Sequence, residues 1–272
     1  MWATRAIHES RSYDQNSFIT LTFSDEKMPL DRSLSLRTFQ LFAKKLRKAL
    51  EPKKIKFFHC GEYSPQKRRP IGPFNYWEFL GEGQRPHYHA LLFNHDFDDK
   101  TVWSVRNDIP IYTSDFLTDI WGQGFTTVGE LNFESAAYVA RYTIKKINGK
   151  RDQQLDENGL RPYERVCPIT GNITEVAKEY ATMSNGIGKD HLLSYTSDVY
   201  PLDHVVINGF ERRPPRYYDD LYDQINHDSM EEVKQRRVSK MRDHAKDNTP
   251  ARLAVREKVK QAQLKMLKRE LE

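Results

Sequence analysis

The chain has 272 residues, 38% of them hydrophobic and 12% aromatic, which is enough for one sizeable core with a smaller appendage. No stretch approaches the roughly 18 consecutive apolar residues of a membrane span, and the N-terminal stretch lacks the apolar core of a secretory signal, so the expected location is the cytoplasm with no membrane partner. The net charge of +5 arises wholly in residues 227–272, where 13 Lys and Arg face 8 Asp and Glu, so basicity is no argument for a polyanionic partner in the body of the chain.

Residues 18–24 alternate apolar and hydroxyl side chains and are rich in β-branched and aromatic types, the pattern of a half-buried strand. Over residues 33–50, Leu36, Phe39, Phe42, Leu46 and Leu50 recur at helical spacing, with Lys44, Lys45, Arg47 and Lys48 on the other face. A second strand is expected over residues 54–60. Residues 63–86 are dense in Pro, Gly, Arg and aromatics and read as a long surface loop. A third strand over 87–94 is apolar enough in its second half to be central. A short helix over 114–121 is capped by Ser114 or Asp115, a fourth strand spans 124–130, and a second amphipathic helix spans 133–147. This order favours an α+β fold, a central antiparallel sheet with helices on one face, over a doubly wound parallel sheet.

Residues 148–159 read as a charged linker. Three regions follow: a core at 1–148, a core-completing region at 149–226, and a charged, helical extension at 227–272 broken near Asn248 and Pro250. Cys60 and Cys167 stand alone, which excludes a disulfide framework and a four-cysteine zinc site. The glycines Gly186 and Gly188 mark a turn, since no Ser or Thr follows Lys189 to complete a phosphate loop.

Two features carry chemistry. On a strand, His87 and His89 point to one side and Tyr88 to the other, so the two imidazoles can converge on one divalent ion at the sheet's rim. Neighbouring positions do not fit other paired-histidine chemistries, because residues 91 and 92 are both Leu. A carboxylate is the natural third ligand for a hard cation; Glu62 and Glu82 are both candidates. On the helix at 133–147, Tyr138 and Tyr142 share a face that Lys145 or Lys146 continues. Val139, Ala136, Ala140, Thr143 and Ile147 already form an apolar stripe elsewhere, so packing alone does not require the tyrosines. A phenol attacks at neutral pH only if a cation stabilises the phenolate or activates the electrophile, which a metal on a phosphate oxygen would do. The loop residues Arg68, Arg69, Phe74, Tyr76 and Trp77 mix cations and aromatics, as a single-strand binding surface does.

With these residues in view, the chain resembles the HUH endonucleases, and most closely the replication initiators of small single-stranded DNA phages of the microvirus, gokushovirus-like group. Residues 18–25 resemble the family's first motif, residues 86–93 its histidine motif, and residues 138–145 its two-tyrosine motif. Residues 60–63 and 183–188 resemble further initiator segments, extending the likeness over residues 2 to about 220.

The resemblance implies an HUH core at residues 1–148 with an RRM-like, ferredoxin-like sheet. It implies Glu62 as third ligand beside His87 and His89, Mg²⁺ or Mn²⁺ as cofactor, and Lys145 as the residue that positions phosphate; the long segment before His87 keeps Glu82 open. The implied activity is rolling-circle initiation. Tyr138 or Tyr142 nicks an origin strand, leaving a 5′-phosphotyrosyl link and a free 3′-hydroxyl, and later rejoins DNA. Implied partners are single-stranded DNA, replicative-form origin DNA, and the host helicase and polymerase in the bacterial cytoplasm. A relaxase or transposase-like nuclease and a non-enzymatic nucleic-acid-binding domain are the alternatives.

Overall fold

A computed structural model describes residues 1–64, 68–71, 76–79, 85–106, 108–145, 153–156, 159–166 and 171–266; the side chains of 68–71, 76–79, 142–145 and 264–265 lie outside the description. Helix α1 (Trp2–Ser10) precedes β1 (Asn16–Thr22), α2 (Leu36–Ala49) and β2 (Lys56–Tyr63). The hairpin β3 (Arg68–Ile71) and β4 (Tyr76–Phe79) leads to β5 (Pro86–Phe93), a second hairpin β6 (Thr101–Arg106) and β7 (Ile109–Thr113), then α3 (Asp115–Trp121), β8 (Thr126–Gly129) and α4 (Phe133–Lys145). After these come β9 (Glu164–Val166), β10 (Ile173–Glu175), β11 (Tyr180–Met183), α5 (Lys189–Ser194), α6 (Thr196–Val199), β12 (Val205–Ile207), β13 (Phe210–Arg212), α7 (Arg216–Ile225), α8 (His227–Asp243) and α9 (Pro250–Met266).

Seven of these strands form one antiparallel sheet in the order β11-β2-β5-β1-β8-β7-β6. The α+β expectation therefore holds. Both faces of the two central strands are buried, including the hydroxyl position Thr20 of β1, which reads as part of the wet side of a half-buried strand. On one face Ile19, Leu21, Tyr88, Ala90 and Leu92 pack with Phe39, Phe42 and Leu46 of α2 and with Leu117 and Trp121 of α3. On the other, Phe18, Phe58, Cys60, Leu91 and Phe93 pack with Ala3 and Ala6 of α1 and with Ala136, Tyr138 and Val139 of α4. Helices thus cover both faces, which corrects the expectation of one. The apolar run Ala90-Leu91-Leu92-Phe93 is the physical reason, since a strand with one wet face would alternate.

Local chemistry sets the helix ends. The Ser35 and Ser114 hydroxyls accept from Thr38 N (3.3 Å) and Leu117 N (3.1 Å), capping α2 and α3. Gly122, in the left-handed region, ends α3. At the start of α4, Ser135 N donates to Asn132 Oδ1 and Asn132 N donates to Ser135 Oγ, both at 2.9 Å, a reciprocal cap that fixes where this helix begins.

Three further departures from expectation have local causes. The segment read as a loop over 63–86 contains the β3–β4 pair; Pro70, placed opposite Trp77, interrupts the alternation that marks a strand. In the β6–β7 hairpin Pro110 and a bulge between Val102 and Ser104 break the alternation of β-branched and aromatic residues, and the edge strand β11 is only four residues long. At the C-terminal end, α7 and α8 contribute Tyr218, Tyr222, Met230 and Val233 to a separate cluster with Leu192, Val199 and Tyr200, so the extension begins as a packed element. Arg237 clasps Asp203 and Asp219 there. The break near Asn248 is present: α9 starts at Pro250, where a missing N–H costs nothing, and none of its described side chains is buried.

Candidate metal centre

The register of three central strands builds the site. Glu62 of β2 and Thr22 of β1 both lie opposite His87 of β5, and Thr20 lies opposite His89. Strand alternation turns Glu62, His87, His89 and Thr20 to the α4 face. Tyr88 goes the other way, where its hydroxyl donates to Ser35 O at 3.0 Å.

On that face the three donors converge. Glu62 Oε1 lies 2.9 Å from His87 Nε2 and 2.7 Å from His89 Nε2, and all three residues are buried. Among the described residues they form the group of ligand atoms that fits a metal, lying within 4.8 Å of one another. Tyr138, reaching down from α4, donates its hydroxyl to the same Glu62 oxygen at 2.9 Å. Phe18 stacks on the His89 ring at 5.6 Å and Tyr138 meets it edge-on at 5.0 Å, so packing holds the imidazole in place.

The far sides of the rings decide what the site can bind. His87 Nδ1 faces the carbonyl of Arg85 at 3.2 Å, and a carbonyl only accepts, so Nδ1 carries the proton. His89 Nδ1 is held by Thr20 Oγ1 at 2.9 Å. With its proton on Nδ1, His87 presents a lone pair at Nε2 to a carboxylate oxygen. Two acceptors at that distance require a positive centre between them, either a proton or a metal ion. Burial alone would raise the Glu62 carboxyl, but the positive centre shared with the His87 and His89 rings outweighs it and holds the group below the usual carboxylate range. Two imidazole nitrogens and a carboxylate, each ring oriented by an outer partner, suit a divalent cation.

His87, His89, Glu62 and Tyr138 come together. Tyr142 and Lys145 occupy the last turn of α4, where their side chains lie outside the described residues, as do Lys146 and Glu82 altogether. Phe74 is likewise outside, and of Arg68, Arg69, Tyr76 and Trp77 only the backbone strands are described. Cys60 is buried on the site face of the sheet, and Cys167 lies outside the described residues. Tyr138 is also a core aromatic, only 6% exposed, so its packing and site roles coincide. Sequence reading missed Thr20 as the partner of His89; alternation within residues 18–24 already placed it on the Phe18 side of that strand.

A buried Glu-His-His group on the seven-stranded sheet, with a tyrosine hydroxyl against it, is a candidate centre for a metal ion. The comparisons give the relationship. The family model for the ORF2 type of replication-associated protein matches residues 67–147, which run from after Glu62 through both histidines and the whole of α4. Replication-associated protein VP4 of Bdellovibrio phage phiMH2K is 33% identical over 81% of this chain and 62% of its own length. Replication-associated protein ORF2 of Spiroplasma virus 4 is 31% identical over 80% and 61%, and ORF4 of Chlamydia phage 1 is 28% identical over 80% and 49%. The chain is therefore similar to replication-associated proteins of phages, the likeness that its motifs implied. It spans about three-fifths or less of the length of these curated relatives. No solved structure matches it. Among the described residues, no helix is long and apolar enough to cross a membrane.

Proposed function

We propose that this protein initiates rolling-circle replication by nicking an origin strand through tyrosine attack at the Glu62-His87-His89 centre, as an HUH endonuclease. The observation that carries the reading is the Tyr138 hydroxyl, held 2.9 Å from the oxygen that both histidines also approach. A phenol fixed beside three groups that can ligate a cation supports a role in transfer to phosphorus in addition to its packing role. Replication-associated relatives support the same substrate class.

Mg²⁺ or Mn²⁺ is the cofactor this reading calls for, and when bound it would neutralise charge on a non-bridging phosphate oxygen. The chain's own residues do the rest. His87 and His89, locked by Arg85 O and Thr20, and the ionised Glu62 hold the ligand atoms toward one point. Tyr138 or Tyr142 forms the bond from phenol oxygen to phosphorus and gives up its proton. The bond from phosphorus to the 3′-oxygen breaks, and that oxygen gains a proton to become a free 3′-hydroxyl. Lys145 positions the phosphate. The ester link conserves the phosphodiester's energy, so a later 3′-hydroxyl reverses the step and rejoins DNA without a nucleotide cofactor. The second tyrosine cleaves the regenerated origin so that a circle is released. The partners proposed are origin DNA and the host helicase and polymerase, in the bacterial cytoplasm.

Denaturing gels of labelled single-stranded origin DNA incubated with protein and Mn²⁺ test this. Wild type forms a covalent adduct, each of Tyr138→Phe and Tyr142→Phe reduces it, and the double substitution abolishes it. Adducts persisting in the double variant would overturn the reading.

A further inference from the structure

The face of the sheet that carries the metal centre is covered unevenly. Helices α1 and α4 lie over β11, β2 and β5. Further along, Phe125 and Trp103 stand 43% and 62% exposed, with ring centroids 5.0 Å apart and planes tilted by 55°. Large aromatic rings so exposed, and paired, call for a ligand that offers flat apolar surface.

Their placement relates them to the site. Val128 and Thr126 of β8 are buried, and Val128 belongs to the α2 face; alternation turns Phe125, like Thr127, to the face of His87 and His89. The backbone of Phe125 is pinned against β1. Its carbonyl accepts from Thr22 N at 3.0 Å and from Thr22 Oγ1 at 2.7 Å, and Thr22 is the residue opposite His87. Gly124 makes this approach possible, because a Cβ there would fall 2.3 Å from Ser24 N. Phe125 is thus two strands away from the ligand strand, with β1 between, at the level of His87, and Trp103 lies further out on β6.

We infer that Phe125 and Trp103 form a stacking platform for bases of the single strand next to the cleaved phosphate. Strands about 4.8 Å apart put Phe125 roughly two strand spacings, and the backbone of Trp103 roughly four, from the ligand strand, within the reach of a few nucleotides of extended single strand. Stacking on aromatic side chains is tolerant of sequence, since every base has a π-face, so the platform orients the strand while leaving base choice to other contacts. The inference rests on the proposal that this face cleaves single-stranded DNA.

The test is equilibrium binding of fluorescein-labelled oligo(dT) to the full chain in excess chelator, where cleavage cannot contribute. Trp103→Ala and Phe125→Ala are each expected to weaken binding about 5- to 100-fold, the loss associated with one stacked base, and Trp103→Tyr to retain most of it. Both side chains are exposed, so unchanged thermal melting serves as the folding control. Wild-type affinity in Trp103→Ala overturns the inference. If Trp103→Ala instead turns a dimer into a monomer in sedimentation without changing oligo(dT) binding, the rings serve self-association and the inference also falls. Adduct formation by wild type in Mn²⁺ separates the two readings: equal binding by the variants with adducts intact sinks the platform alone, whereas no binding and no adducts sinks both.

Discussion

At the residue scale, Glu62 is the pivot. One oxygen meets two imidazoles and a phenol, and burial makes each contact count, because an ionised carboxylate in that position cannot be left uncompensated. Thr20 is the outer partner most open to a clean test, since Thr20→Val keeps shape and removes only the contact to His89 Nδ1. Outer partners of metal-bound histidines typically contribute 10- to 100-fold in affinity, so Thr20→Val is expected to weaken Mn²⁺ binding by about that factor, measured by calorimetry. Glu62→Ala should abolish the rise in melting temperature that Mn²⁺ produces in the wild type, because ligand-linked stabilisation needs a site in the folded state. A rise of equal size in Glu62→Ala would place the cation elsewhere.

At the element scale, the centre depends on the spacing of β1, β5 and β8 as much as on any ligand. Gly124 brings the chain entering β8 against β1 with a φ of +151°, a backbone state that L side chains rarely adopt. Gly124→Ala is expected to cost about 1–3 kcal/mol, seen as a lower urea midpoint, because the added carbon meets the backbone of Ser24. The histidine strand and its neighbour were legible in the sequence: alternation at residues 18–24 and the apolar run after His89 identified β1 and β5 and put the histidines on one side. The position of β11 beside β2 was not, since only residues far along the chain supply it. The same holds for the second helical layer, because α1 is short and its buried residues include Thr4, His8 and Glu9, which no apolar periodicity would mark.

At the scale of the whole molecule, buried histidines outside the centre set the response to acid. Burial, reinforced by His191 and Arg11, lowers His8 to about 3; burial lowers His59 to about 3; burial and Lys53 lower His95 to about 4. In the unfolded chain each titrates near 6.5, so below that pH the unfolded state binds more protons than the folded one. The stability these groups contribute is complete above about pH 6.5 and is lost as pH falls toward their folded-state values. The urea midpoint of the metal-free protein is therefore expected to fall between about pH 7 and about pH 5, above the carboxylate range. A midpoint that is flat across that interval would mean these rings are not held neutral. His8 also ties the body to the C-terminal cluster, with Nδ1 2.8 Å from the Tyr218 hydroxyl, so acid loosens both together.

Sequence alone determined the chemistry on offer: two histidines one residue apart on a strand must share a side, and two tyrosines four apart on a helix must share a face, because the periods of strand and helix leave no alternative. It left Glu62 and Glu82 as rivals by composition, since a carboxylate's identity as a ligand depends on which strand lies next to which. Tertiary structure sets β2 in register with β5, so that Glu62 falls opposite His87, and lowers Tyr138 from α4 onto the Glu62 oxygen; Glu82 lies outside the described residues. It also placed Phe125 and Trp103 together beyond the helical cover, a proximity between residues of separate strands that no linear pattern encodes.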